Sequence, residues 1–230
     1  MLRKTDSKTD FYIKSQKDKR ESLGYYKEKI KFILEETGEG KLVLDVGCND
    51  GFIGEMLIKK QNKVFGLDIV KNNLEIAESR GLIVKNVNVE KEKLPFKNNY
   101  FDVVILGDII EHVFDTDRLL REARRILKTG GKLIVTTPNI ASLGRRIMLL
   151  FGISPFIEYS VGMLTNNTPS VGHIRYYTVG TLRKQLDYNG FKVTVLKGNV
   201  LNLYFLTTHL FDSLKPSICM MIMCAAIKRE

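Results

Sequence analysis

Val43-Leu44-Asp45-Val46-Gly47-Cys48-Asn49-Asp50-Gly51 is the stretch that decides how this chain folds. An apolar strand runs into a tight glycine-bearing turn, and a helical pattern follows from about Phe52 to Lys60. A parallel α/β sheet presents a backbone cradle in this way at the carboxyl end of its first strand. The next apolar run, Lys63-Val64-Phe65-Gly66-Leu67-Asp68, ends in a carboxylate. An acid at the tip of a second strand can accept hydrogen bonds from both hydroxyls of a ribose. Strand, turn, helix and second-strand acid together predict a nucleoside-containing cofactor.

Outward from that stretch, strands and helices alternate. A helix is expected over Glu21–Glu36, stopped by Gly38 and Gly40. Strands are expected at Lys41–Val46, Lys63–Asp68, Leu82–Val89, Phe101–Gly107 and Lys132–Thr137, with helices at Phe52–Lys60, Asn72–Arg80 and Asp117–Leu127 between them. This order predicts a Rossmann-like, seven-stranded, mostly parallel sheet with helices on both faces. After Pro138 the pattern changes. Ile140–Thr168 is apolar but irregular and reads as an inserted cap after the fifth strand, taken as 140–177. Thr178 then opens a helix through Tyr188, and Phe191–Leu196 and Ser217–Lys228 read as two closing strands. The expectation is one domain over 1–230, with residues 1–20 frayed.

At 230 residues and 44% apolar content the chain can bury a sizeable core. Its formal net charge is +10, but the lysines and arginines are spread along the chain with no block of like charge. Charge alone therefore gives little support to a nucleic-acid partner. Cys48, Cys219 and Cys224 form no Cys-x-x-Cys pair, which predicts a reducing compartment and a cytoplasmic protein. The polar stretch Met1–Lys19 has no apolar core of a signal peptide, and no run approaches the ~18–20 apolar residues that span a bilayer.

The turn is Asp-x-Gly-x-x-x-Gly and lacks two glycines of the dinucleotide fingerprint. It resembles the first motif of the class I S-adenosylmethionine-dependent methyltransferases. Asn49 stands where the family's middle glycine is usual, and Asn tolerates positive φ. Further segments match in the expected order: Asn88-Val89-Glu90; Phe101-Asp102 through Gly107-Asp108 to Glu111-His112; the helix ending in Gly130-Gly131; and Gly172-His173-Ile174-Arg175-Tyr176-Tyr177-Thr178. The resemblance covers about Lys41–Phe191. It implies S-adenosyl-L-methionine as cofactor and methyl transfer as reaction.

By the same resemblance, the cofactor contacts would be Asp45, Gly47, Cys48, Asn49, Gly51, Asp68, Ile69, Asn88, Val89, Gly107 and Asp108. Asp68 would take the ribose, and the Asn88 carbonyl the adenine amino group. His112 and His173 are the candidates for a catalytic base, since imidazole titrates near neutrality. Asp108, Glu111 and His112 are similar to a metal-binding segment in some methyltransferases, including certain quinone-precursor enzymes. The expectation is nonetheless that no metal is held. Leu149, Leu150, Phe151, Phe156, Ile157, Tyr159 and Met163 make the cap apolar, with Leu201, Leu203, Tyr204, Phe205 and Leu206 as further contributors. That composition suits a hydrophobic or amphipathic small-molecule acceptor such as a lipid, quinone precursor or lipid-linked sugar. A peripheral membrane or lipid contact and a monomer or homodimer complete the expected partners. Two alternatives stand beside this reading: a nucleic acid methyltransferase, disfavoured because no base-methylation motif follows the fourth strand, and a non-catalytic cofactor-binding protein.

Overall fold

The structure is a computed structural model that describes residues 23–156, 172–202, 207–208 and 215–229. The expected fraying of 1–20, the cap residues Ile157, Tyr159 and Met163, and the segment Leu203–Leu206 lie outside the described residues.

Helix α1 (Leu23–Thr37) precedes β1 (Leu42–Val46), α2 (Phe52–Lys59), β2 (Lys63–Asp68), α3 (Lys71–Ser79) and β3 (Ile83–Asn86). Strand β4 (Phe101–Gly107), helix α4 (Thr116–Ile126) and β5 (Leu127–Pro138) follow. Helices α5 (Leu143–Leu150) and α6 (Val179–Tyr188) lead to β6 (Phe191–Gly198) and β7 (Met221–Lys228). The strands form one seven-stranded sheet in the order β3-β2-β1-β4-β5-β7-β6. Strands β1 to β5 pair in parallel, and β7 pairs antiparallel with both β5 and β6. The expected seven strands, mostly parallel, are all present.

Two-residue periodicity sorts the strand side chains between two apolar layers. Leu44, Val46, Val104, Leu106, Leu133 and Val135 face α4 and α6, where Leu119, Leu120, Ala123, Leu182 and Leu186 are buried. Val43, Val103, Ile105 and Ile134 face α1, α2 and α3, where Phe32, Ile33, Leu57, Leu74 and Ala77 close the other layer. β7 lies between β5 and β6, and its residues Met221 to Ala226 are buried.

Several boundaries differ from the sequence expectation. The third strand ends at Asn86 and not at Val89. Asn88 breaks the ladder because its Oδ1 accepts from the Glu90 N–H at 2.9 Å, turning the chain. The fifth strand begins at Leu127, before the paired glycines, and absorbs them through a register shift against β4. The last strand starts at Met221 because Pro216–Ile218 form a 3-10 turn. The region expected as an irregular cap contains α5, none of whose side chains is buried. Thr178 opens α6 with a reciprocal side-chain cap to Thr181. No helix among the described residues is long and apolar enough to cross a membrane.

Candidate active site at the carboxyl ends of β1, β2 and β4

The order of strands reverses between β1 and β4, so the crevice at their carboxyl ends is where an open α/β sheet receives a ligand. The turn after β1 is built for close approach. Gly47, Asn49 and Gly51 take φ values of 74°, 51° and 75°. Asn49 thus adopts the left-handed conformation that its position demands. A Cβ on Gly47 would lie 2.6 Å from Ile109 Cδ1, so the turn packs directly on the exit of β4. The N–H groups of Gly47 and Cys48 both donate to the Leu67 carbonyl, at 2.7 and 2.9 Å, tying the turn to β2. Cys48 is buried, and a Cβ on Gly66 of β2 would meet its Sγ at 2.6 Å. Burial pushes the Cys48 thiol well above the usual range, so the residue fills space and is not a nucleophile.

Asp68 organises the rim. Its Oδ2 accepts from the Asn49 N–H at 2.9 Å and its Oδ1 from the Val70 N–H at 2.8 Å. Burial raises its pKa, and these backbone donors oppose the rise. Each oxygen keeps a second acceptor direction for a ribose hydroxyl. Ile69 beside it is 62% exposed, an apolar surface on which a flat base can rest. Asp45 is buried at the end of β1, and burial, then Asp68, push its carboxyl up to about 7. These features fit a cofactor with a vicinal diol and a purine.

At the exit of β4, Asp108 takes φ 54° and is held from two sides. Its Oδ1 accepts from Thr136 Oγ1 at 2.7 Å, and its Oδ2 pairs with Lys29 Nζ at 2.7 Å. Burial works to lower the Lys29 pKa, but Asp108, Tyr26 and Glu111 together outweigh it and raise the pKa. Lys29 comes from α1 and carried no sequence signal of a role here. A lysine in an amphipathic helix reads as solvent-facing until the chain 79 residues later is folded against it. Asp108, expected to touch cofactor, is therefore first a structural partner of Lys29.

Glu111 is buried, with Oε2 accepting from Thr137 Oγ1 at 3.0 Å. Burial, then Asp108, push its carboxyl up to about 8. Its Oε1 has no hydrogen-bond partner among the described residues and lies 3.9 Å from His173 Nε2. The Gly172–Tyr177 segment is strapped over this point: the Ile174 and Arg175 N–H groups both donate to the Glu111 carbonyl, and Arg175 Nη2 donates to the Phe114 carbonyl. The strap brings the His112 and His173 rings to 4.7 Å. His112 Nδ1 lies 3.2 Å from the Gly172 carbonyl. It must donate there, which leaves the lone pair of the neutral ring on Nε2. The ligand atoms of Glu111, His112 and His173 all fall within 4.8 Å of one another. The sequence-predicted catalytic pair is thus brought together. Asn88 and Val89 sit on the turn after β3, where the Val89 carbonyl is taken by Arg118.

A family model described as a methyltransferase domain matches residues 18–196. The chain belongs to this methyltransferase-domain family. Among curated relatives of this chain, the ubiquinone biosynthesis O-methyltransferase of Bartonella bacilliformis is 31% identical over 127 residues, 51% of either chain. The mitochondrial ubiquinone biosynthesis O-methyltransferase of Rattus norvegicus is 27% identical over 171 residues, 71% of this chain and 48% of that one. The chain spans about half the length of these curated relatives. A solved S-adenosylmethionine-dependent methyltransferase of Thermotoga maritima shares the fold with a TM-score of 0.70 at 20% identity, covering 96% of this chain and 97% of that one.

Proposed function

We propose that this methyltransferase moves the methyl group of S-adenosyl-L-methionine to a hydroxyl of a hydrophobic small molecule, a prenylated phenolic precursor of a quinone being the best-supported class. The observation that carries the reading is the Gly47–Gly51 turn clamped by Asp68 at the β1/β4 switch point. The relatives' names supply the acceptor class. The cofactor brings an activated methyl on a sulfonium, and the protein has to align and desolvate. Asp68 holds the ribose, Ile69 backs the adenine, and the Gly47 turn admits the methionine part.

The acceptor enters between the strap and the apolar surface of α5. Leu149, Leu150 and Phe151 are exposed there, and Phe156 packs on Tyr176 with ring centroids 4.7 Å apart. The same surface suits the tail of a prenylated acceptor or a peripheral lipid contact. His112, whose Nδ1 is engaged by the Gly172 carbonyl, takes the acceptor proton through Nε2, with His173 beside it. A second reading rests on Glu111 Oε1, which has no partner among the described residues: with the two imidazoles it offers a donor set for a divalent cation, which would acidify the acceptor hydroxyl directly. Three buried free cysteines support a reducing, cytoplasmic setting.

The purified chain, methyl-labelled cofactor and a panel of prenylated phenols test the proposal together. Label should pass to a phenolic oxygen. Tight cofactor binding with no transfer to any phenol would sink the acceptor class. Loss of turnover with a chelator, restored by Mg²⁺ or Zn²⁺, would select the cation reading over the imidazole base.

A further inference from the structure

At the end of the molecule opposite the glycine turn lies an open groove of about 690 Å³. Asn98 precedes β4, Arg121, Arg124 and Arg125 come from α4, Tyr188 ends α6 and Lys228 ends β7. β7 runs antiparallel to β5, so its last residue sits beside the first residues of the parallel strands. The seven residues of β4 separate this groove from the β4 exit, roughly 20 Å at about 3.3 Å per residue.

No carboxylate among the described residues lines the groove. Arg125 is neutralised by Glu122 at 2.8 Å. The other three cations are not. Lys228 Nζ donates to Asn99 Oδ1 at 2.7 Å and to the Leu127 carbonyl at 2.8 Å, both uncharged. Arg124 Nη2 reaches the Arg229 carbonyl at 3.4 Å, while its buried Nε has no partner among the described residues. Arg121 is exposed and forms no hydrogen bond or ion pair within the described residues. Burial, then Arg124, hold the Lys228 ammonium below its usual range, as expected of like charges gathered without a counter-ion.

The arrangement is held in place. Gly190 has φ 78°, and a Cβ there would lie 2.6 Å from Arg124 Nε. The guanidinium stem therefore lies directly on the Gly190 backbone, a position from which a Cβ at 190 would displace it. A guanidinium held in place at the groove, beside Arg121 and Lys228 and with no carboxylate among the described residues lining it, is prepared to take an oxyanion. Tyr188, 81% exposed at the rim, offers a flat apolar surface beside it.

We propose that this groove is a second binding site, distinct from the methyl-transfer crevice, which takes the phosphate or diphosphate group of a small phosphorylated ligand between Arg121, Arg124 and Lys228. Small-ligand sites enclose about 300–1,000 Å³, so the groove has room for more than the bare anion.

Calorimetric titration with inorganic pyrophosphate, at an ionic strength held constant with sodium chloride, tests the site without reference to methyl transfer. One saturable event is expected. Arg124→Gln and the exposed Arg121→Gln should each weaken it by about tenfold or more. Lys184→Gln, on α6 outside the groove, should leave it unchanged. Melting curves establish that each variant is folded, and Arg121→Gln keeps the test decisive if Arg124→Gln is not. Absence of saturable binding to the native chain overturns the proposal, as does native affinity in a folded Arg121→Gln and Arg124→Gln pair. Binding to vesicles containing phosphatidic acid, with none to pyrophosphate, also overturns it and assigns the cations to a lipid surface.

Discussion

Asp68→Asn separates the two tasks of the second-strand acid. In the native chain the carboxylate already accepts from Asn49 N–H at 2.9 Å and Val70 N–H at 2.8 Å, before any ligand arrives. An amide keeps one acceptor oxygen and turns the other into a donor. Whichever way it is turned, one backbone N–H faces an NH₂, and one ribose hydroxyl loses a charged acceptor. A hydrogen bond to a charged group contributes about 1.5–3 kcal/mol. At about 1.4 kcal/mol per decade, the loss of one ribose bond weakens cofactor binding by about tenfold to a hundredfold. The stability cost is smaller. Burial raises the Asp68 pKa, so its charge is costly in the unliganded fold, and removing that charge offsets part of the lost loop bond. The variant should therefore melt near the native temperature and bind weakly. Calorimetry with S-adenosylmethionine and urea unfolding of the same sample measure both quantities. Affinity within twofold of native, in a folded protein, would refute the assignment of Asp68 to the ribose.

Three further outcomes are expected. Gly47→Val places a branched side chain at φ 74° against Ile109, whose Cδ1 is 2.6 Å from the new Cβ, and should abolish cofactor binding in a protein that still folds; normal calorimetric binding would remove the turn from the site. Asp45 has its carboxyl raised to about 7 in the fold, so the native state holds its proton more tightly than the unfolded chain and this residue's contribution to stability falls as pH rises from about 4 to 7. Asp45→Asn should flatten the decline in urea midpoint between pH 5 and pH 8, and an unchanged slope would contradict the assignment. Phe151→Ser with Phe156→Ser should raise the KM for a prenylated phenol while leaving S-adenosylmethionine affinity within twofold; equal loss of both would place α5 and its flank in the cofactor site.

The alternation of short apolar strands with helices is a local pattern, and it delivered the sheet and its parallel character because crossover connections leave few other topologies. The turn residues were legible for the same reason: positive φ at Gly47, Asn49 and Gly51 and the acid at Asp68 are demands placed on single positions. Lys29 was not legible, because its role exists only through an ion pair to Asp108, 79 residues away. Asn88 was misplaced at a strand end because an Asx turn and a strand terminus draw on the same polar residues. The basic groove was also hidden. Its cations lie more than a hundred residues apart in sequence, between Arg121 and Lys228, so a chain with evenly spread charge folds into one with a local excess.

The place of β7 has a consequence for how the molecule is made. It is the last of the seven strands to leave the ribosome, yet it lies in the interior of the sheet, between β5 and β6. Until Met221–Lys228 arrives, β5 and β6 each expose an unpaired backbone edge flanked by apolar side chains, the surface on which foreign strands add. A nascent chain that has formed β1 to β5 but still lacks β7 therefore has the β5 edge open. Synthesis stalled before residue 221 would leave an aggregation-prone intermediate rather than a smaller stable domain.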